Sequence, residues 1–148
     1  KAFNLQGGYT FQKSKYKTPF KWSDEVEAQT TMYNSPDHYG YVNIDYIPVE
    51  PLTLSLNSIF TGPMLFQHYA GWVEKDCEKV TPTFTDLSFR VAYKVNITRK
   101  NQMEIFGSVK NILNQYQDDL DGGMDKDSKY VYGPATPRSY YFGIKFVF

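Results

Sequence analysis

An all-β chain, folded as an antiparallel up-and-down meander of about six strands, is what the residue pattern implies. Six segments alternate apolar and polar side chains with a period of two, no segment carries a persuasive helical period, and the connections between the six alternate long and short. Strands joined in this way pair with their sequence neighbours, and 148 residues suffice for one domain or a piece of one.

The first strand sets Phe3, Leu5, Gly7, Tyr9 and Phe11 against Asn4, Gln6, Gly8, Thr10 and Gln12. From about Lys15 to Asp37 the alternation dissolves, with Phe20, Trp22, Met32 and Tyr33 scattered among polar residues and a turn signal at Asn34-Ser35-Pro36-Asp37. A long polar loop carrying exposed aromatics is expected there. The second strand opposes Gly40, Val42, Ile44 and Tyr46 to Asn43 and Asp45, with Tyr41 and Ile47 as impurities on the polar side. Pro48 is expected to end it, because proline cannot donate to a ladder. The third strand places Leu52, Leu54, Leu56, Ser58 and Phe60 opposite Thr53, Ser55, Asn57 and Thr61, Ile59 being the exception.

A second long loop runs from about Gly62 to Thr83. The fourth strand follows, with Thr85, Leu87, Phe89, Val91, Tyr93 and Val95 against Asp86, Ser88, Arg90, Ala92 and Lys94. After the turn from Asn96 to Asn101, the fifth sets Met103, Ile105, Gly107 and Val109 against Glu104, Ser108 and Lys110, and Phe106 is out of place among the latter. A third long loop, from about Leu113 to Pro137, leads to the last strand, where Tyr140, Phe142, Ile144, Phe146 and Phe148 oppose Tyr141, Gly143 and Lys145.

The balance of 16 basic and 16 acidic residues gives no electrostatic case for nucleic acid. No apolar run approaches the roughly 20 residues of a membrane-spanning helix. Strands can cross a bilayer, however, and Asp45, Asp86, Arg90, Lys94, Glu104, Lys110 and Lys145 all fall on the polar parity, leaving the apolar stripes free of charge. Aromatics gather near the strand ends, as at a lipid interface: Tyr9, Phe11, Phe60 and Tyr140 toward the loops, Tyr46, Tyr93, Phe146 and Phe148 toward the turns. In bacterial outer-membrane barrels the extracellular loops are long and the periplasmic turns short, which directs the last strand downward. A soluble all-β binding module, with apolar faces packed in a sandwich, is the alternative from another class, and a plug-less porin-type barrel is another.

No catalytic constellation is present, and the chain is not expected to be an enzyme. His38 and His68 read as polar loop histidines, and the lone Cys77 as an incidental residue of a solvated loop. Trp22, His68, Tyr69 and Trp72 are the weak candidates for ligand contact in the loops. The acidic run Asp118, Asp119, Asp121, Asp125 and Asp127 lacks the order of a calcium loop and its closing glutamate, so a solvated loop is favoured over cation binding. No metal or cofactor is expected. The chain opens at Lys1 already in strand pattern, as expected for part of something longer.

Two groups of residues carry a resemblance. Tyr141, Gly143, Phe146 and Phe148 are similar to the C-terminal assembly signal of bacterial outer-membrane barrels. Asn111-Ile112-Leu113-Asn114 resembles the Asn-Leu-Phe-Asn/Asp motif of TonB-dependent outer-membrane receptors, and Pro137-Arg138 resembles the approach to their last strand, particularly in Bacteroidetes-type members. The resemblance implies that residues 1–148 are the C-terminal portion of a barrel of about 22 strands. The whole receptor would import a large scarce nutrient of the iron-siderophore, haem or corrinoid class. Its implied partners are outer-membrane lipid and the barrel-assembly machinery. The TonB system would be engaged only through an N-terminal plug, which this chain lacks along with the TonB box. Left alone, so open a sheet is expected to self-associate.

Overall fold

The structure, a computed structural model, describes residues 1–99 and 101–147; Phe148, the last residue of the expected assembly signal, lies outside the described residues. Alternation with a period of two selects strands throughout, and no described residue is helical. In chain order the strands are β1 (Ala2–Phe11), β2 (Lys15–Phe20), β3 (Gln29–Thr31), β4 (His38–Val49), β5 (Leu52–Thr61), β6 (Leu65–His68), β7 (Cys77–Val80), β8 (Phe84–Asn96), β9 (Gln102–Lys110) and β10 (Ser139–Val147). Strands β1, β4, β5, β8, β9 and β10 form one antiparallel six-stranded sheet in that order, the meander expected from the pattern. Its two edges are β1 and β10.

The register puts the apolar parity of all six strands on one face. One rung runs Leu5, Ile44, Leu56, Phe89, Val109, Tyr140 across the sheet. A neighbouring rung on the opposite face runs Asn4, Asp45, Ser55, Arg90, Ser108, Tyr141. Directly opposed residues share a face, so a slip of one residue would exchange the two sets. On the polar face three of the charges find close partners: Arg90 donates to Glu104 at 2.6 Å, and Ser55 donates to Asp45 at 2.6 Å.

Among the described residues no second layer covers the apolar face. Phe3, Leu5, Tyr9, Phe11, Tyr140 and Phe142 are all exposed, Phe142 by 76%. Among the described residues the buried apolar side chains are instead Tyr33, Phe66, Phe84, Ala92 and Tyr130, and all but Ala92 belong to the long connections or the strand end beside them. The core of this chain therefore sits at one end of the sheet, where the three long connections emerge.

Two aromatics that break the sequence parity have a common cause. Tyr41 is directly opposite Gly8, and a Cβ on Gly8 would come within 2.7 Å of the Tyr41 ring. Phe106 is directly opposite Gly143, where a Cβ would come within 2.5 Å of its ring, and the Arg90 guanidinium lies over Phe106 at 4.2 Å. Each ring lies across the bare backbone of a glycine, so the polar face keeps these two aromatics without a hydrophobic layer above them. Pro48, expected to end its strand, lies inside β4. It occupies a register shift between Tyr46 and Val49, where a missing donor disturbs the ladder least.

Candidate functional site

The long connections differ from the polar loops expected. The first contains the hairpin β2–β3 and the second the hairpin β6–β7. Residues in β7 alternate sides, and this alternation joins the three connections. Glu78 faces the first connection, where it accepts hydrogen bonds from Trp22 Nε1 at 3.1 Å, from Gln29 and from the Tyr33 hydroxyl. Lys79, its neighbour, faces the third connection and pairs with Asp119. Asp119 also accepts from the hydroxyls of Tyr130 at 2.9 Å and Tyr132 at 2.5 Å.

The third connection folds over the polar face of the sheet. Tyr132, Gly133 and Pro134 share a cavity of about 290 Å³ with Ile59, Thr61, Phe84 and Asp86, all on the polar parity. The Phe84 ring lies against Gly133, where a Cβ would come within 2.6 Å of it. Ile59, anomalous in the sequence, faces this folded-back chain.

Burial and hydrogen bonding tune the groups in this cap. Burial, with help from Glu78, pushes the Tyr33 phenol up to about 12. For Asp119, burial is the largest single effect and acts upward, but hydrogen bonds from Lys79, Tyr132 and Tyr130 outweigh it and bring the carboxyl down to about 2. A carboxyl lowered from 3.8 to about 2 stabilises the cap fully above the higher value and loses that contribution as pH falls through the lower one. Acid titration followed by near-ultraviolet circular dichroism should therefore show the cap loosening between these values. In Asp119→Asn that acid step should disappear.

The four candidate ligand residues have different surroundings. Trp22 and Tyr69 meet, with ring centroids 4.8 Å apart, and Lys129 lies over Tyr69 at 5.7 Å. Trp72 is 59% exposed and lies beside Gly122 instead. His68 is not a solvated loop histidine. It is buried, stacked on Tyr130 with centroids 3.5 Å apart, and its Nε2 is 2.9 Å from an oxygen of the equally buried Asp121. Because a carboxylate only accepts, Nε2 carries the proton and is taken up by this contact.

Nor is the acidic run a plain solvated loop. Asp119 and Asp121 are bound as described, and Asp127 accepts from the backbone N–H groups of Tyr69 at 3.1 Å and Lys129 at 2.9 Å. Among the described residues no three His, Cys, Asp or Glu side chains are grouped to hold a metal ion. Cys77 belongs to β7 rather than to a loop, and burial, with the Asp76 and Asp121 carboxylates, pushes its thiol up.

Asn111-Ile112-Leu113-Asn114 and Pro137-Arg138 come together as one clasp at the foot of the third connection. Buried Asn111 has a left-handed φ of 50°, and its Nδ2 donates to the carbonyls of Gln115 at 2.9 Å and Thr136 at 3.0 Å. Asn114, with φ 53°, accepts from the Arg138 N–H at 2.9 Å, and the Arg138 guanidinium donates to the Ile112 carbonyl at 2.6 Å. Asparagine tolerates this backbone region better than other chiral residues, which accounts for the residue type at both positions. Further along, buried Gln117 donates to the Tyr130 carbonyl and accepts from the Tyr132 N–H at 2.8 Å, a role without any sequence signal.

Tyr141, Gly143 and Phe146 lie along β10, with Tyr141 and Gly143 on the polar face and Phe146 on the apolar one. The cap as a whole is a hydrogen-bonded surface built from all three long connections. Comparison with protein families, curated proteins and solved structures gives no match to this chain.

Proposed function

We propose that this chain is the C-terminal part of a TonB-dependent outer-membrane receptor, six strands of a barrel of about 22, serving the uptake of a large scarce nutrient such as an iron-siderophore, haem or a corrinoid. The observation that carries the reading is the single bare apolar face shared by all six strands, opposite a face that holds the charges. A soluble sandwich would bury such a face against a second sheet. Lipid is the alternative solvent for it, and strands whose backbone groups are paired within a closed barrel are one of the two structures that can cross a bilayer. The clasp between the Asn111 and Arg138 segments supports the family, because it joins the two motifs that resemble it. In this reading the cap is extracellular and non-enzymatic, the polar face lines the lumen, and the short turns are periplasmic. The TonB system acts through a plug outside these residues. A plug-less porin-type barrel shares the same wall, and the sequence preceding Lys1 separates the two.

Topology can be tested in cells producing the full natural chain with Cys77→Ser. Met124→Cys, on the exposed tip of the third connection, should react with an impermeant maleimide on intact cells, whereas Glu50→Cys in a short turn should react only after permeabilisation. Recovery of the protein in the soluble periplasmic fraction, or the reverse labelling pattern, would rule the reading out.

For residues 1–148 alone, β1 and β10 present unpaired edges beside an exposed apolar face. The isolated chain in detergent is expected to self-associate through those edges. A sharp monomer boundary at every concentration in analytical ultracentrifugation would contradict this.

A further inference from the structure

From Gln12 to Lys21 the chain carries four lysines and no acid, within a protein of zero net charge. Lys21 is paired with Asp24 at 3.3 Å, but Lys13, Lys15 and Lys17 are exposed, and their ammonium groups have no ion pair or hydrogen bond among the described residues. Their spacing is regular. Lys15 and Lys17 belong to β2, where residues two apart point the same way, roughly 7 Å from one another, and Lys13 lies two residues before that strand. Between them, Tyr16 turns toward the cap core, with its ring 5.1 Å from Phe20 and 6.3 Å from buried Tyr33. Lys15 and Lys17 therefore face away from that core. Just before them, Tyr9 and Phe11 end the apolar stripe of β1, 66% and 71% exposed. The chain passes from bare apolar wall, through two aromatics, to three unpartnered ammonium groups.

Resting on the outer-membrane reading, we propose that Lys13, Lys15 and Lys17 form a docking strip for the phosphate groups of anionic lipid in the outer leaflet. Charge complementarity and position both select this occupant: aromatic rings sit at headgroup depth, and lysine stems long enough to lie along apolar surface place their charge just beyond. The strip adds selectivity for one lipid class to a wall that lipid of any class can wet.

The test uses the full natural chain reconstituted in phosphatidylcholine bilayers, with spin-labelled phosphatidic acid compared with spin-labelled phosphatidylcholine. The motionally restricted fraction should favour phosphatidic acid by roughly fivefold per lysine engaged, and less at high salt. Lys13→Gln, Lys15→Gln and Lys17→Gln together should abolish the preference, while Lys75→Gln with Lys126→Gln should leave it unchanged. A preference for phosphatidic acid undiminished in the triple variant would overturn the strip. So would complete competition by millimolar inorganic phosphate, which would make a soluble anion the ligand. Absence of a restricted fraction with either label would instead remove the membrane reading, and the proposal with it.

Discussion

Leu5→Arg is expected to lower folding stability in a bilayer by about 2 to 4 kcal/mol, whereas Phe11→Arg on the same stripe should lower it by less than about 1 kcal/mol. The two side chains make an informative pair because the protein itself covers them equally little, leaving Leu5 60% and Phe11 71% exposed. In water, two such surface substitutions would each fall within roughly half a kcal/mol of neutral. Only a surrounding medium with depth can separate them. Leu5 lies toward the middle of β1 and Phe11 at the end beside the cap, so a guanidinium at Leu5 must reach out of hydrocarbon while one at Phe11 already touches headgroups. Urea unfolding from lipid vesicles, read by tryptophan fluorescence, measures both. Costs that are equal and small would mean that lipid does not face this sheet.

The second large effect is expected at the clasp. Asn111→Ala should cost about 3 kcal/mol, since it removes the partners of two carbonyls and of the Gln115 N–H in a buried site and leaves alanine with a left-handed φ. Asn111→Asp should be intermediate, because it keeps the acceptor and loses the donor. Urea unfolding orders the three proteins, and limited proteolysis locates the damage. New cleavage should appear between residues 114 and 138, with the short turns still protected.

The sheet was legible in the sequence because its evidence is local. Each of the six strands carries its own alternation, and the register places every expected apolar stripe on the same face. Even the misfits Tyr41 and Phe106 were visible as misfits. Their cause was not, since it lies in Gly8 and Gly143 on neighbouring strands. The cap was illegible for the same reason on a larger scale. Strands β3, β6 and β7 are three or four residues long, too short for a period to declare itself, and what orders them is contact at a distance. His68 reads as an ordinary polar residue until Asp121 and Tyr130 are brought to it. Gln117 and Asn111, both buried, satisfy backbone groups many residues away, and amide side chains in loops carry no mark of such roles.

The alternation of Glu78 and Lys79 along β7 also limits how the connections of this cap can be exchanged. A foreign first connection would arrive without Trp22, Gln29 and Tyr33 and would leave Glu78 facing no donors; a foreign third connection would strand Lys79 in the same way. The unit of transplantation is therefore all three connections together. Changes made in one of them are expected to depend on the residues present in the other two.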